Sequence, residues 1–144
     1  MLQNEPTARD VSEHLLDLSG QALMTGDMSA FADCVAFPFE LVTASGRRVL
    51  EAPEDLTSIL SAMHNHLQQM GVTILARHCV AAEYRTPDEI VATHETRLIS
   101  NGLLIEDPFP TLSVLIRTPD GAWKIRSSSY DVPRGSIYES ALDA

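Results

Sequence analysis

The sequence predicts a single α+β domain over residues 1–144, with helices in the first half and an antiparallel sheet in the second. Apolar residues recur at three- and four-residue spacing in two stretches of the first half, which is typical of amphipathic helices. The second half alternates apolar and polar residues between Asn-Gly and Pro-Asp-Gly turns, which is the pattern of β-hairpins. A chain of 144 residues is also long enough to bury a core without disulfides or metals.

Two helices are predicted at the start of the chain. The first spans residues 6–25, and Gly26 ends it because glycine tolerates the left-handed backbone found there. Asp27 is a suitable N-cap for a short second helix over 28–35. The face of the first helix that we expect to be buried consists of Val11, Leu15, Leu18 and Ala22.

A short hairpin and the main helix come next. The strand 37–43 begins through Pro38, which predicts an edge strand because proline cannot donate to a ladder, and 47–51 pairs with it. Pro53 opens the main helix at a position that favours proline, and Gly71 ends it. Its core stripe is Leu56, Ile59, Leu60, Met63, Leu67 and Met70.

The remaining chain is predicted to form the sheet. One strand spans 72–84, and three more span 90–100, 103–117 and 122–130. Their turn residues supply positive φ or preset the first turn angle, so successive strands should be antiparallel. Residues 131–144 carry proline and glycine and are expected to be a loosely held C-terminal tail.

Two short motifs accompany this order of elements. Gly-Asp-Met-Ser-Ala-Phe follows the first helix at 26–31, and Gly-Ala-Trp-Lys-Ile lies at 121–125 in the last strand. On these motifs the chain resembles the nuclear transport factor 2-like (NTF2-like) superfamily, in its SnoaL-like or polyketide-cyclase-like branch, a fold shared with ketosteroid isomerases. The resemblance implies a cone-shaped, cystatin-like α+β fold, in which N-terminal helices pack on a curved, mixed but mostly antiparallel sheet around a pocket.

Composition restricts the partners and the compartment. The formal charge of −10 argues against binding to nucleic acid or to an anionic membrane, since the summed field repels polyphosphates. No apolar run reaches the ~20 residues of a membrane span, and residues 1–10 lack the features of a signal peptide, so we expect a cytoplasmic protein. Cys34 and Cys79 lack ligand-spaced partners, and the two-residue spacing of His64 and His66 suits no helical metal site. We expect no metal and no cofactor.

His94 is the candidate catalytic residue. In the strand 90–100, alternation divides the residues into two faces, and we assign the less charged face to the interior. That face carries His94, which is either a general base or ligand-orienting donor, or a core histidine bonded to Thr96, Tyr130 or the backbone. The sequence leaves both interpretations open. The inward residues are Ile90, Ala92, His94, Thr96 and Leu98.

A ligand pocket and a dimer interface are predicted on opposite faces of the sheet. The pocket, or a close-packed core in its place, would be formed by Phe37, Phe39, Met63, His94 and Trp123, with Tyr130 as a polar contact. Opposite it, Glu95 and Arg97 are predicted on an outer face that meets either solvent or a second copy of the chain. That mixed-charge face also includes Arg77, Arg117, Lys124 and Arg126.

The resemblance also gives a test of catalytic function. It implies a tyrosine donor on the first helix and a carboxylate base on the strand after the second helix. These positions fall near Leu18 and Thr43, and neither side chain can perform the role, with Glu40 the nearest acid. We therefore expect a dimeric small-molecule-binding module without the ketosteroid-isomerase set, holding a small apolar ligand or none. The alternative is an isomerase or polyketide-cyclase-type enzyme with His94 as acid or base.

Overall fold

The computed structural model describes residues 5–131 and 141–142, and it confirms the α+β class. The seven strands form one mixed sheet in the order β2-β1-β7-β6-β4-β3, with β5 paired to β4. Only the pairing of β1 with β7 is parallel. The elements are α1 (Ala8–Thr25), α2 (Met28–Ala32), β1 (Val35–Thr43), β2 (Gly46–Leu50), α3 (Thr57–Gln69), β3 (Ile74–Thr86), β4 (Glu89–Ser100), β5 (Leu103–Leu104), β6 (Phe109–Arg117) and β7 (Trp123–Tyr130).

The end of α1 requires a glycine for two reasons. Gly26 has a φ of 76°, in the left-handed region, as predicted. A Cβ at this position would also lie 3.0 Å from Nε2 of His64 on α3. The Nδ1 atom of His64 lies 2.9 Å from the carbonyl oxygen of Leu23, so the two helices are joined at this point. The predicted buried face of α1 is correct except for Leu18, which is 44% exposed.

The predicted core stripe of the main helix is confirmed. Residues Pro53–Leu56 form a 3-10 turn, which continues directly into α3. Gly71 follows the helix with a φ of 69°. The stripe packs into the hydrophobic core, with Met70 partly buried and the others buried, namely Leu56, Ile59, Leu60, Met63 and Leu67.

The prediction that β1 is an edge strand is wrong. This strand lies between β2 and β7. Its register against β7 shifts between Val35 and Glu40, and Pro38 falls inside the irregular stretch after a cis peptide bond. A proline is tolerated there because no ladder hydrogen bond is required of it.

The predicted strand 103–117 is divided into β5 and β6. The residues between them include Pro108, which has no N–H, so a continuous ladder is interrupted there. The amide of Ile105 still donates to the carbonyl of Leu98, at 3.0 Å, before the chain leaves β4.

The predicted C-terminal tail lies mostly outside the described residues. Of the segment 131–144, the structure describes Asp131 and the pair Ala141 and Leu142. That pair is 0% and 3% exposed and belongs to the hydrophobic core, while Arg48 Nη1 donates to the carbonyl of Leu142 at 3.4 Å. The description of a loosely held tail does not apply to these two residues.

A one-residue bulge in β3 decides which of its side chains face inward. Cys79 pairs with His94 and Ala81 pairs with Thr93, so Val80 is an extra residue. Before the bulge the odd-numbered residues of β3 therefore face inward, and after it the even-numbered residues do. Cys79 is buried at 3% exposure, whereas Val80 is 53% exposed.

Helix α1 supplies hydrogen bonds to the backbone at this bulge. Arg9 donates from Nη1 to the carbonyl of Cys79 at 2.6 Å and from Nη2 to the carbonyl of Val80 at 3.1 Å. The amide of Cys79 donates to Oε1 of Glu13 at 3.0 Å. Backbone groups that the bulge removes from the ladder are thus satisfied by side chains of the helix.

A second bulge lies in β7. Ile125 and Ser127 pair with adjacent residues of β6, so Arg126 is the extra residue. Beyond it, Ser128 faces inward and is 5% exposed, and Tyr130 follows two residues later on the same face.

Replacing Arg9 with Met should lower the free energy of unfolding by about 1–2 kcal/mol, because two carbonyls at the bulge lose a charged donor. Urea denaturation measures this difference. The matched control is Arg47→Met, which removes an exposed arginine paired with Glu40 and should change stability by less than about 0.5 kcal/mol. Equal losses in the two variants would show that Arg9 does not stabilise the bulge.

Candidate functional site

The inner face of β4 is the face that alternation predicted. All five inward residues are buried, and His94 among them is 4% exposed. Its Nε2 atom is buried and has no hydrogen-bond partner among the described residues, and the same holds for Oγ1 of Thr111 directly across on β6. Buried polar atoms are nearly always bonded, so an unpartnered Nε2 distinguishes His94 from an ordinary core histidine.

A cavity of about 30 Å³ lies beside His94, between the first two helices and the inner face of the sheet. One water needs roughly 10–15 Å³, so there is room for a water pair or one small polar group. Part of the wall is apolar and includes Phe31, Phe39, Leu115 and Ile125. The polar part consists of Ser12, Arg77, His94, Ser113, Ser128 and Tyr130.

The structure brings together some of the residues predicted to line a pocket. Phe39, His94 and Tyr130 line this cavity. Met63 is buried in the core at 3% exposure, and Phe37 packs partly buried against the core, but neither lines the cavity. Trp123 lies in a separate surface groove, so the residues predicted to line one pocket are divided among the cavity, the core and this groove.

Trp123 belongs to an open groove of about 1090 Å³ between α1, α2 and the start of β7. Its ring and that of Tyr84 meet in a T-shaped arrangement with their centroids 5.9 Å apart, and the guanidinium of Arg117 lies 5.5 Å from the Trp123 centroid. Leu18 lines the same groove. This surface is separate from the cavity at His94.

The outer-face prediction is right for one group of charges and wrong for another. Glu95 and Arg97 form an ion pair there, and Arg126 pairs with Glu89. Arg117, in contrast, lies against Trp123. The amine of Lys124 is not part of a charge cluster but donates to the carbonyl of Asp33 at 2.7 Å.

Arg77 was predicted on the outer face and lies on the inner one. It pairs with Thr96, an inward residue, because the bulge at Val80 reverses the parity of β3. Its Nη1 donates to Oγ of Ser19 on α1 at 3.2 Å. A Cβ at Gly20 would lie 3.4 Å from the same nitrogen, at van der Waals contact, so the guanidinium packs beneath the helix at this position.

The environment of His94 keeps its imidazole neutral. Burial above all, and then the positive charges of Arg77 and His78, lower the pKa of this ring from 6.5 to about 3. At neutral pH the ring therefore has one N–H donor and one acceptor nitrogen. With this pKa, it is a weak base and a good neutral hydrogen-bonding group.

Hydroxyl groups complete the polar side of the cavity. Oγ of Ser113 and Oγ of Ser128 are 3.2 Å apart. Burial raises the pKa of Tyr130, against the opposing effects of the Arg77 charge and of a hydrogen bond with Ser128. The phenol is thus protonated at neutral pH and hydrogen-bonded to Ser128 on the same strand.

The positions expected for ketosteroid-isomerase chemistry lie away from the cavity. Leu18 faces the open groove, and Glu40 pairs with Arg47 at an exposed site. No Asp or Glu is among the described residues that line the cavity. A carboxylate base of the isomerase type is therefore missing from this described lining.

Several cavity residues were missed from the sequence. The inward position of Ser113 could have been predicted from strand alternation, since this residue lies two positions before the inward Leu115 on β6. Arg77 alternates with Leu75 and the buried Cys79 on its own side of the bulge, so counting from those residues would also have placed it inward. Ser128 could not be placed in this way, because the bulge at Arg126 separates it from Ile125. Ser12 lies one position from the predicted stripe of α1.

Within 5–131 and 141–142, no group of three or more His, Cys, Asp or Glu side chains is arranged to hold a metal ion. In the same part of the chain, no helix has the length and apolarity needed to cross a membrane.

Comparison with known proteins identifies the fold. No protein-family model matches the chain, and no curated protein matches it in sequence. Among solved structures, a ketosteroid isomerase-like protein from Erwinia carotovora atroseptica has a TM-score of 0.61 at 16% identity, over 90% of this chain and 99% of that one. Aln2 from a Streptomyces species has a TM-score of 0.65 at 16% identity, over 84% and 87% of the two chains.

A third similar structure is described as an NTF2-like protein with a cystatin-like fold from Novosphingobium aromaticivorans, with a TM-score of 0.63 at 15% identity over 94% of this chain and 88% of that one. The chain therefore has the NTF2-like, cystatin-like fold that its short motifs predicted. At these identities the similarity establishes the fold and leaves the activity to be argued from the cavity.

The neutral state of His94 predicts a specific pH dependence. The unfolded chain protonates this imidazole below pH 6.5, whereas the folded chain does so only below about pH 3. The free energy of unfolding should therefore fall as the pH decreases through that window, by up to about 1.4 kcal/mol per pH unit from this group.

Urea denaturation of the wild type and of His94→Gln at several pH values isolates this contribution. Relative to the variant, the wild type should lose stability steadily as the pH falls from 6.5. His14→Gln, at an exposed histidine of α1, is the matched control for the substitution. Parallel curves for wild type and His94→Gln would contradict the neutral buried imidazole.

Proposed function

We propose that this chain is a small-molecule-binding module of the NTF2-like fold, which holds a polar group of its ligand against His94 in the inner cavity. The observation that carries the proposal is the buried Nε2 of His94, which has no partner in the part of the chain that the structure describes. An unpaired buried polar atom costs roughly 1–3 kcal/mol, and a ligand atom at this position would recover that cost.

The shape and lining of the cavity support a ligand that is small. Its apolar wall suits a short hydrocarbon portion, while the opposite wall supplies hydroxyl, imidazole and guanidinium groups. A volume of about 30 Å³ accepts only the polar group of such a molecule without rearrangement. The remainder of the ligand would occupy space that opens as side chains move.

A second candidate function is an isomerase or polyketide-cyclase-type enzyme with His94 as acid or base. It is favoured by the presence of a titratable ring at the cavity wall. It requires the ligand to raise the pKa of His94 from about 3 toward neutrality, because a base works best when its pKa lies near the working pH. The binding module needs no such shift and is the preferred proposal.

The proposed module is a homodimer that associates through the outer sheet face. Ile74, Leu104 and Leu112 on this face are 55%, 49% and 48% exposed. The pair of Glu95 and Arg97 lies among them, so two copies related by a twofold axis would present opposite charges to each other as well as apolar surface.

The proposed compartment is the cytoplasm. Cys34 and Cys79 are both buried free thiols, which suits a reducing environment. The net charge of −10 supports the absence of nucleic acid and of anionic membrane among the partners.

Native mass spectrometry of the purified protein tests the binding proposal. The wild type should carry a small molecule in addition to its polypeptide mass, and His94→Gln should lose it while retaining the melting temperature to within a few degrees. His78→Gln, at an exposed histidine of the outer face, is the matched control and should keep the ligand. Loss of the molecule in both variants, or a wild type that never carries one in any preparation, would contradict the proposal.

Sedimentation velocity tests the dimer. The wild type should sediment as a dimer at micromolar concentration, and Leu112→Glu should dissociate it because a charge is placed in the apolar part of the interface. Leu18→Glu changes an equally exposed leucine away from this face and should leave the dimer intact. A wild-type monomer, or dissociation by both variants alike, would rule out this interface.

A further inference from the structure

We propose that the inner cavity is a carboxylate site, in which the guanidinium of Arg77 binds the carboxylate of a small monoanionic ligand and the imidazole of His94 donates to the same group. This inference rests on the proposed binding function and names the chemical class of the ligand. Both residues line the same cavity of about 30 Å³.

Arg77 differs from every other arginine that the structure describes. Two of the others donate to backbone carbonyl oxygens, and the rest pair with carboxylates. Among the described residues, Arg77 donates only to the neutral hydroxyl of Ser19. The two carbonyl-bound arginines are Arg9 and Arg48, and those paired with carboxylates are Arg47, Arg85, Arg97, Arg117 and Arg126.

The isolation of Arg77 is not explained by a shortage of acids. The chain has 20 acidic residues and 10 basic ones, and exposed arginines elsewhere on the sheet pair with carboxylates. A guanidinium has five N–H donors, and Ser19 uses one of them. A partly buried cation with unused donors is a group whose partner is expected to come from outside the described fold.

The field within the cavity is positive. Among the described lining residues, Arg77 is the one with a formal charge at neutral pH, and none is an Asp or Glu. The acid that α1 brings close to this part of β3 is Glu13, and its carboxylate accepts from the amide of Cys79. An anion entering the cavity therefore meets a cation without a competing carboxylate beside it.

His94 supplies a second, independent feature that points to a ligand. Its Nε2 is buried, has no partner within residues 5–131 and 141–142, and belongs to a ring that lines the cavity beside Arg77. In the tautomer with hydrogen on Nε2, the neutral imidazole donates one hydrogen bond and adds no second positive charge. The two residues together provide the donors that one carboxylate group can accept.

Charge and size favour a carboxylate over a phosphate. One guanidinium neutralises one negative charge, so a buried dianion would retain an uncompensated charge at high cost. The planar fork of an arginine matches the two oxygens of a carboxylate. The cavity also holds only a few heavy atoms, which suits a carboxylate with its hydrocarbon portion directed toward the apolar wall at Phe39 and Leu115.

Isothermal titration with sodium formate and sodium acetate tests the site, with formamide and acetamide as neutral probes of the same shape and sodium phosphate as a dianion. The wild type should bind the carboxylates saturably, with dissociation constants in the millimolar range that such small ions allow. The amides should bind at least about tenfold more weakly, since a charged hydrogen bond is replaced by a neutral one. Carboxylate binding should also shift the ring resonances of His94.

Three variants localise the binding. Arg77→Gln keeps a donor for Ser19 and should weaken acetate at least about tenfold. Arg77→Lys keeps the charge without the planar fork and should give an intermediate loss. Arg97→Gln removes an outer-face arginine and should leave the affinity unchanged.

The outcomes separate this inference from the binding function on which it rests. Equal affinity for acetate and acetamide would overturn the carboxylate assignment and leave a neutral ligand at His94. Phosphate binding as tight as acetate, or an equal loss in Arg97→Gln, would also overturn it. Absence of any carboxylate binding rejects the inference, whether or not native mass spectrometry finds a co-purifying molecule. If Arg77→Gln fails to fold, the lysine variant and the His94 resonances decide the result.

Discussion

Two extra residues, Val80 in β3 and Arg126 in β7, determine the chemistry of the interior of this protein. A side chain in a strand faces the opposite side from its neighbour, so one inserted residue transfers everything beyond it to the other face. The first bulge directs Arg77 inward, and the second does the same for Ser128 and Tyr130. Without these insertions, regular alternation would place different neighbours at the cavity.

The position of Arg77 has electrostatic consequences for the groups around it. Its charge adds to burial in lowering the pKa of His94 and opposes burial at Tyr130. Both residues are therefore uncharged at neutral pH beside a cation. The cavity combines one positive charge with neutral hydrogen-bonding groups, which is an environment suited to recognising an acceptor and poorly suited to removing a proton.

The fold was predictable from sequence to the extent that local rules agreed with one another. The stripe of α3, the glycine end of α1 and the inward face of β4 all followed from spacing and capping. Predictions failed where proline or a bulge changed the pairing. Pro38 was assigned to an edge although the chain places it in an irregular stretch between two neighbouring strands.

The same dependence on regular strand alternation explains which residues of the candidate site could be predicted. His94 was found because β4 is regular along its whole inward face, whereas β3 changes parity at Val80, so alternation counted from the two ends of β3 gives opposite faces for Arg77. Nothing in the residues around Val80 announces an insertion, since the hydrogen bonds at the bulge come from Arg9 and Glu13, about seventy positions away along the chain. Long-range contacts of this kind are not visible in a single sequence.

The most direct test of the account is a crystal structure of the protein soaked in formate. Planar density is expected in the inner cavity, with oxygens about 3 Å from both the guanidinium of Arg77 and Nε2 of His94. An empty cavity, or a guanidinium of Arg77 turned away from it to pair with an acidic side chain of the protein, would contradict the claim that these two residues form a ligand site.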